Sequence, residues 1–104
     1  MSNKRWGMFK LIVAVLPRGK TKKIMPMMKE AGIFGATLVS AKGLCAKEGT
    51  RALGFRIGSA KEILILVTLD VNKKKLVRLL EAHGKLKEPG EGIVFVMDIC
   101  QVIG

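Results

Sequence analysis

Three nearly unbroken aliphatic runs constrain this chain more than anything else in it: Phe9 to Leu16 (FKLIVAVL), Glu62 to Leu69 (EILILVTL) and Ile93 to Met97 (IVFVM). Runs so short cannot span a bilayer as helices, and with so little polar alternation they read as strands carrying apolar side chains on both faces. Two stretches of helical period separate them. Thr21 or Lys20 opens the first, in which Ile24, Met27, Met28 and Ala31 fall on one face before Gly32 stops it. Pro26 interrupts that helix and is expected to kink it. The second follows Asp70, a good N-cap, and carries Leu76, Leu79, Leu80 and His83 on one face up to Gly84, which suits a left-handed cap. A further strand, Ala36 to Lys42 (ATLVSAK), precedes a polar connection from Gly43 to Arg51, the segment expected to be most mobile, with Leu53 to Ile57 extending its far side. The resulting order, β-α-β-β-α-β, is the ferredoxin-like α+β sandwich, a four-stranded antiparallel sheet with two helices on one face.

Two helices cover only one face of such a sheet, yet the first, third and fourth strands read as apolar on both. The uncovered face needs a partner, and a second copy of the chain is the simplest one, so a symmetric homo-oligomer is expected. The pattern does not fix the number of subunits. A chain of 104 residues is expected to form one domain, residues 1–104. Its hydrophobic content of 49% against 5% aromatic means a core of Leu, Ile, Val and Met. Cys45 and Cys100 are too few and too far apart for a disulfide framework or a metal cluster and read as buried or idle thiols. No apolar run approaches the ~18 residues of a membrane span. The basic Lys4 and Arg5 lead into a strand rather than a signal sequence, so a cytoplasmic protein without membrane insertion is expected.

The net charge of +11 raises the expectation of an anionic partner: a nucleotide, a nucleic acid or an acidic protein surface. Its distribution moderates this. Arg18, Lys20, Lys22 and Lys23, then Lys73, Lys74, Lys75 and Arg78, crowd the starts of the two helices as a solvated face would. RNA readers of this fold stack bases on strand aromatics, and here the first strand offers only Phe9 and the third none, which does not favour nucleic acid. Pro17-Arg18-Gly19-Lys20 resembles a phosphate cradle of the small acyl-phosphate hydrolases, but asparagine occurs only at Asn3 and Asn72 and no Ser-His-Asp or Cys-His set can be assembled. Met25, Met27 and Met28 read as helix core rather than metal ligands, and the single His83 reads as structural. No enzyme activity, metal or tightly bound cofactor is expected.

Gly90-Glu91-Gly92 precedes the fourth strand. Such a pair serves either a tight turn or the close approach of backbone to a ligand, and alone it favours the turn. Taken with Lys10-Leu11-Ile12-Val13-Ala14-Val15, Ala31-Gly32-Ile33-Phe34-Gly35-Ala36-Thr37, Gly43, Gly49, Pro89-Gly90-Glu91-Gly92-Ile93-Val94-Phe95-Val96 and the closing Val102-Ile103-Gly104, it makes the chain resemble the PII-type nitrogen regulatory proteins and their PII-like relatives. The resemblance implies a non-enzymatic signalling protein: a homotrimer that binds an adenine nucleotide (AMP, ADP or ATP) or another small anion in clefts between subunits. It also implies a loop after the second strand that reports occupancy to a target protein.

Carried onto this sequence, the resemblance places Thr37 at the adenine, Gly43, Leu44 and Cys45 along the nucleotide, and Gly90, Glu91 and Gly92 at the phosphates. Backbone amides of a glycine-rich turn form such an anion-binding concavity without side chains. Ala46, Lys47, Glu48, Gly49, Thr50 and Arg51 would contact the target. The chain departs from the family where a phosphate-loop lysine is replaced by Ile93 and a loop arginine by Ala46, and it has no basic residue after Lys87. Lys47, Lys85 or Lys87 would have to replace that charge. The loop is shorter than in the classical regulators and the chain has no tyrosine, which excludes uridylylation of a loop tyrosine and disfavours insertion into an ammonium channel. Replacing Gly92 by a bulky residue is expected to abolish effector binding and leave the trimer intact. The competing expectation is a protein-interaction or RNA-binding ferredoxin-like module without nucleotide sensing.

Overall fold

The computed structural model describes residues 6–42, 60–84, 86 and 92–104. After a 3-10 turn at Trp6–Met8 come β1 (Phe9–Pro17), α1 (Lys20–Ala31), β2 (Ile33–Lys42), β3 (Ala60–Leu69), a second 3-10 turn (Asp70–Asn72), α2 (Lys73–His83) and β4 (Ile93–Asp98). The strands form one antiparallel sheet in the order β2-β3-β1-β4, with β1 and β3 central. This is the ferredoxin-like arrangement expected from the order of elements.

Residues directly opposite one another in an antiparallel sheet project to the same face. Ile12, Ala14 and Leu16 of β1 stand on the face of Leu64 and Leu66 of β3. These five, together with Ile24, Met28 and Ala31 of α1 and Leu76 and Leu80 of α2, are the buried core. Both helices therefore cover one face. On the other face Leu11, Val13 and Val15 neighbour Ile63, Ile65 and Val67, and all six are only partly buried. The sequence suggested burial on both faces of the central strands, whereas the described residues of one chain bury one.

Glycine sets two of the corners. Gly19 precedes α1 with φ 89°, and Gly32 follows it with φ 99°, donating its N–H to the carbonyls of Met28 at 3.2 Å and Lys29 at 3.3 Å. Both are left-handed conformations that an L side chain resists. Helix α1 runs through Pro26 as one element. The proline removes a donor to the carbonyl of Lys22, but both residues are exposed, so water reaches the freed group. The buried stripe of α1 is Thr21, Ile24, Met28 and Ala31, with Met27 packed at its margin.

Several details differ from the sequence reading. Strand β2 begins at Ile33 rather than Ala36, because a bulge between Ile33 and Gly35 absorbs Phe34, whose ring meets Phe9 edge-on at 5.3 Å. Asp70 does not cap α2; it opens the 3-10 turn, and Asn72 stands at the helix entrance without a side-chain cap bond. His83 is exposed rather than part of the apolar face. Gly84 has φ −90°, not a left-handed cap. A Cβ there would lie 2.6 Å from the Leu80 carbonyl oxygen and 2.7 Å from Leu16 Cδ2, so close packing excludes a side chain. Cys100 is an exposed free thiol, which agrees with the idle alternative of the sequence reading and not with the buried one. Leu53 to Ile57 and Cys45 lie outside the described residues.

Candidate effector site

Strands β2 and β3 are joined by residues 43–59, and α2 and β4 by a connection that ends at Gly92. The register shows where both attach. Lys42 at the end of β2 pairs with Ala60 at the start of β3, Lys61 pairs with Pro17, and Val15 pairs with Ile93 at the start of β4. Both connections thus leave from the Pro17 end of the sheet, which gathers there the anchors of the two segments singled out in sequence. Gly43 to Arg51, Gly90 and Glu91 themselves lie outside the described residues.

Thr37 and Gly92 are described, and one chain does not bring them together. Thr37 is exposed on β2, the sheet edge, opposite Ile65 and therefore on the uncovered face. Gly92 adjoins β4, the opposite edge. Three inter-strand steps of ~4.8 Å separate these edges, about 14 Å, before any offset along the strands is counted. Gly92 itself is hemmed in by protein. A Cβ built on it would overlap the carbonyl oxygen of Val15 and lie 2.9 Å from Leu86 Cδ2. The glycine is required for β4 to dock on β1, so a bulky residue at this position disturbs the sheet as well as any ligand. The change expected from the sequence to abolish effector binding and leave the trimer intact would thus also strain the β1–β4 contact.

The same end of the sheet carries the N-terminus of α1. Here the Thr21 N–H donates to Oε1 of Glu62 at 3.2 Å. Glu62 occupies the position at which a phosphate would exploit the helix dipole, and a second anion would meet its charge. This weighs against the phosphate cradle suggested by Pro17-Arg18-Gly19-Lys20. Sequence reading treated Glu62 only as the start of an aliphatic strand; the signal available was an isolated acid heading such a run. At the opposite end, Lys10 hydrogen-bonds Asp98, lies 3.8 Å from Asp70, and Asp70 pairs with Lys73 at 3.2 Å. The Lys10 hydrogen bond holds the Asp98 carboxyl below its usual range, and that bond raises Lys10 above its own.

Among the described residues no group of three or more His, Cys, Asp or Glu is placed to hold a metal ion. None of their helices is long and apolar enough to cross a membrane. The sheet order, the apolar uncovered face and the two connections at one end are accompanied by a direct match: the family model for nitrogen regulatory protein P-II aligns with residues 9–104. The chain belongs to the P-II family. Its fold is also that of Arabidopsis thaliana PII in a crystal structure bound to citrate, with a TM-score of 0.70 and 18% identity over 94% of this chain and 81% of that one. At that identity the likeness speaks to the fold alone. No curated protein matches the chain significantly. P-II proteins are regulators, and this chain is a P-II-type regulatory protein.

Proposed function

We propose that this P-II protein is a cytoplasmic, non-enzymatic, single-domain sensor that assembles as a homotrimer and binds a small anionic effector between subunits. The effector class is an adenine nucleotide, with AMP, ADP and ATP as the candidates. Occupancy biases the arrangement of residues 43–57, which bind or release a target protein, so that the effector acts by population shift.

The observation that carries this reading is the separation of Thr37 and Gly92 on opposite edges of the sheet. A site using both is completed when the β2 edge of one copy meets the β4 edge of the next. The uncovered aliphatic face supports the same assembly, because copies that bury it bring their sheet edges together. Gly43, Leu44 and Cys45 from the connection after β2, and Gly90 and Glu91 beside Gly92, are assigned to the ligand. Ala46, Lys47, Glu48, Gly49, Thr50 and Arg51 are assigned to the target. Ile93 and Ala46, standing where the family carries cations, reduce the charge available to a triphosphate.

Isothermal titration with ATP, ADP, AMP and citrate tests the proposal. Saturable binding near one ligand per subunit, with ATP favoured least relative to the family pattern, is expected. Thr37→Val, which removes one exposed hydroxyl without adding bulk, should weaken nucleotide by roughly 0.5–1.5 kcal/mol and leave citrate unchanged. Absence of heat with all four ligands, together with no thermal shift, would overturn the effector assignment.

A further inference from the structure

Helix α2 presents a cationic ridge between two hollows. One, of about 470 Å³, lies between α2 and β4 and is lined by Lys73, Lys74, Val77, Arg78, Glu81 and Val96. The other, of about 500 Å³, lies on the far flank of α2 and is lined by Val71, Lys74, Lys75, Arg78, Leu79 and Ala82. Lys74 and Arg78 belong to both. Four residues apart, they stand one above the other on the helix surface and form the crest. Each hollow also offers aliphatic surface to solvent: Val96 is 42% exposed and Val71 83%.

This surface is distinct from the uncovered sheet face. Val96 pairs with Ile12, which is buried beneath the helices, so Val96 points to the helix side of the sheet. Copies that meet through the other face leave it open. Helix α2 carries Lys73, Lys74, Lys75 and Arg78 against Glu81 alone, and that imbalance selects an anionic occupant. The hollows add a second requirement, because aliphatic linings reward apolar side chains rather than further charge.

We propose that the Lys74–Arg78 ridge of α2 is a docking site for an extended acidic segment of a partner protein, with a carboxylate over the crest and an apolar side chain in each hollow. The spacing follows from element dimensions. A helix is ~10–12 Å across, an extended chain advances ~3.3 Å per residue and only every second side chain faces the same way, so residues i and i+4 reach opposite flanks while i+2 meets the ridge. The recognised pattern is apolar-x-acidic-x-apolar, in which the two x side chains face solvent. A bilayer is a poorer fit, since a flat surface meets the crest before it reaches either hollow. Nucleic acid fits less well too, because no aromatic lines the hollows to stack a base.

The proposal is independent of the effector reading and is tested without any nucleotide. The probe is a fluorescein-labelled peptide containing Leu-Ser-Glu-Ser-Leu flanked by serine and glycine, titrated against the full chain and followed by anisotropy and by amide shifts in ¹H–¹⁵N spectra. Saturable binding is expected, with shifts centred on Val77, Arg78, Leu79 and Val96. The Lys74→Glu/Arg78→Glu double variant should weaken binding by about tenfold or more, and replacing both leucines of the peptide by serine should do the same. Both protein changes are at exposed positions, and circular dichroism confirms the retained fold. Equal binding of the serine peptide would overturn the proposal by reducing the site to diffuse charge attraction. So would unchanged affinity in the double variant, or stronger ridge-dependent binding of phosphatidylserine vesicles or of single-stranded RNA than of the peptide.

Discussion

The two faces of the sheet are built from the same aliphatic residue types and meet different fates. On the helix side Ile12, Ala14, Leu16, Leu64 and Leu66 are completely buried. One residue along each strand, Leu11, Val13, Val15, Ile63, Ile65 and Val67 are all partly exposed. Local strand propensity does not distinguish the faces, since either set would suit a fully covered strand. The difference arises at the level of connectivity: both helices lie on the same side, and no described element covers the other. A face so aliphatic is the one assigned to assembly in the proposed trimer, while its counterpart forms the core of the subunit. The exposed Phe95 and Met97 of β4 extend the uncovered surface to the sheet edge.

Charging the uncovered face should produce the largest effect of all. Ile65→Glu places a carboxylate at the centre of that face, where assembly would strip it of water without a partner. Sedimentation equilibrium should show trimer for the parent and monomer for the variant, with the far-UV spectrum preserved. A trimeric Ile65→Glu protein would mean that the copies meet elsewhere. The neighbouring change on the helix side should have a smaller and different consequence. Leu64 is fully buried, and Leu64→Ala should cost about 2–5 kcal/mol of subunit stability through lost burial and the cavity left behind. Denaturant unfolding at two protein concentrations separates the cases. The Leu64 change lowers stability at both, whereas the Ile65 change removes the concentration dependence that assembly confers.

How much of this was legible in the sequence follows from which interactions are local. The aliphatic runs and helical periods located every strand and helix among the described residues, because binary pattern and period are properties of neighbouring residues. The uncovered face was legible as well, as a count of faces against helices. The errors fall where tertiary contact decides. Asp70 resembled a helix cap, but the chain inserts a 3-10 turn, and Lys73 and Lys10 draw its carboxylate into ion pairs instead. Gly84 and Gly92 both resembled positions needing special backbone geometry. For Gly92 the reason is a neighbour distant in sequence, the Val15 carbonyl, and for Gly84 it is shared between the Leu80 carbonyl one turn back and the distant Leu16. The effector site was legible only as a resemblance. The two described members of the proposed site, Thr37 and Gly92, sit on opposite sheet edges, and no pattern within one chain encodes what a second copy would supply.

The smallest expected effect concerns the margin where the two faces end. Lys10 of β1 stands directly opposite Asp98 of β4, hydrogen-bonded to it, with Asp70 and Lys73 completing the cluster. Asp98 is held below its usual 3.8, so its contribution is present above that pH and is lost as acid titrates it through its lower folded value. Lys10 is held above its usual 10.5, so its contribution persists below that pH and disappears as alkali passes its higher folded value. The pair therefore supports the β1–β4 edge across the neutral range and fades at both extremes. Because the Asp98 side chain is 80% exposed, solvent screening keeps the contribution modest. Asp98→Asn should lower the melting temperature slightly near neutrality, and the deficit should shrink as pH falls below 3.8. High salt should shrink it too while strengthening burial of the aliphatic faces, so salt separates this margin from the surfaces it joins. A deficit unchanged by acid and by salt would show that Asp98 acts through β4 packing rather than through its charge.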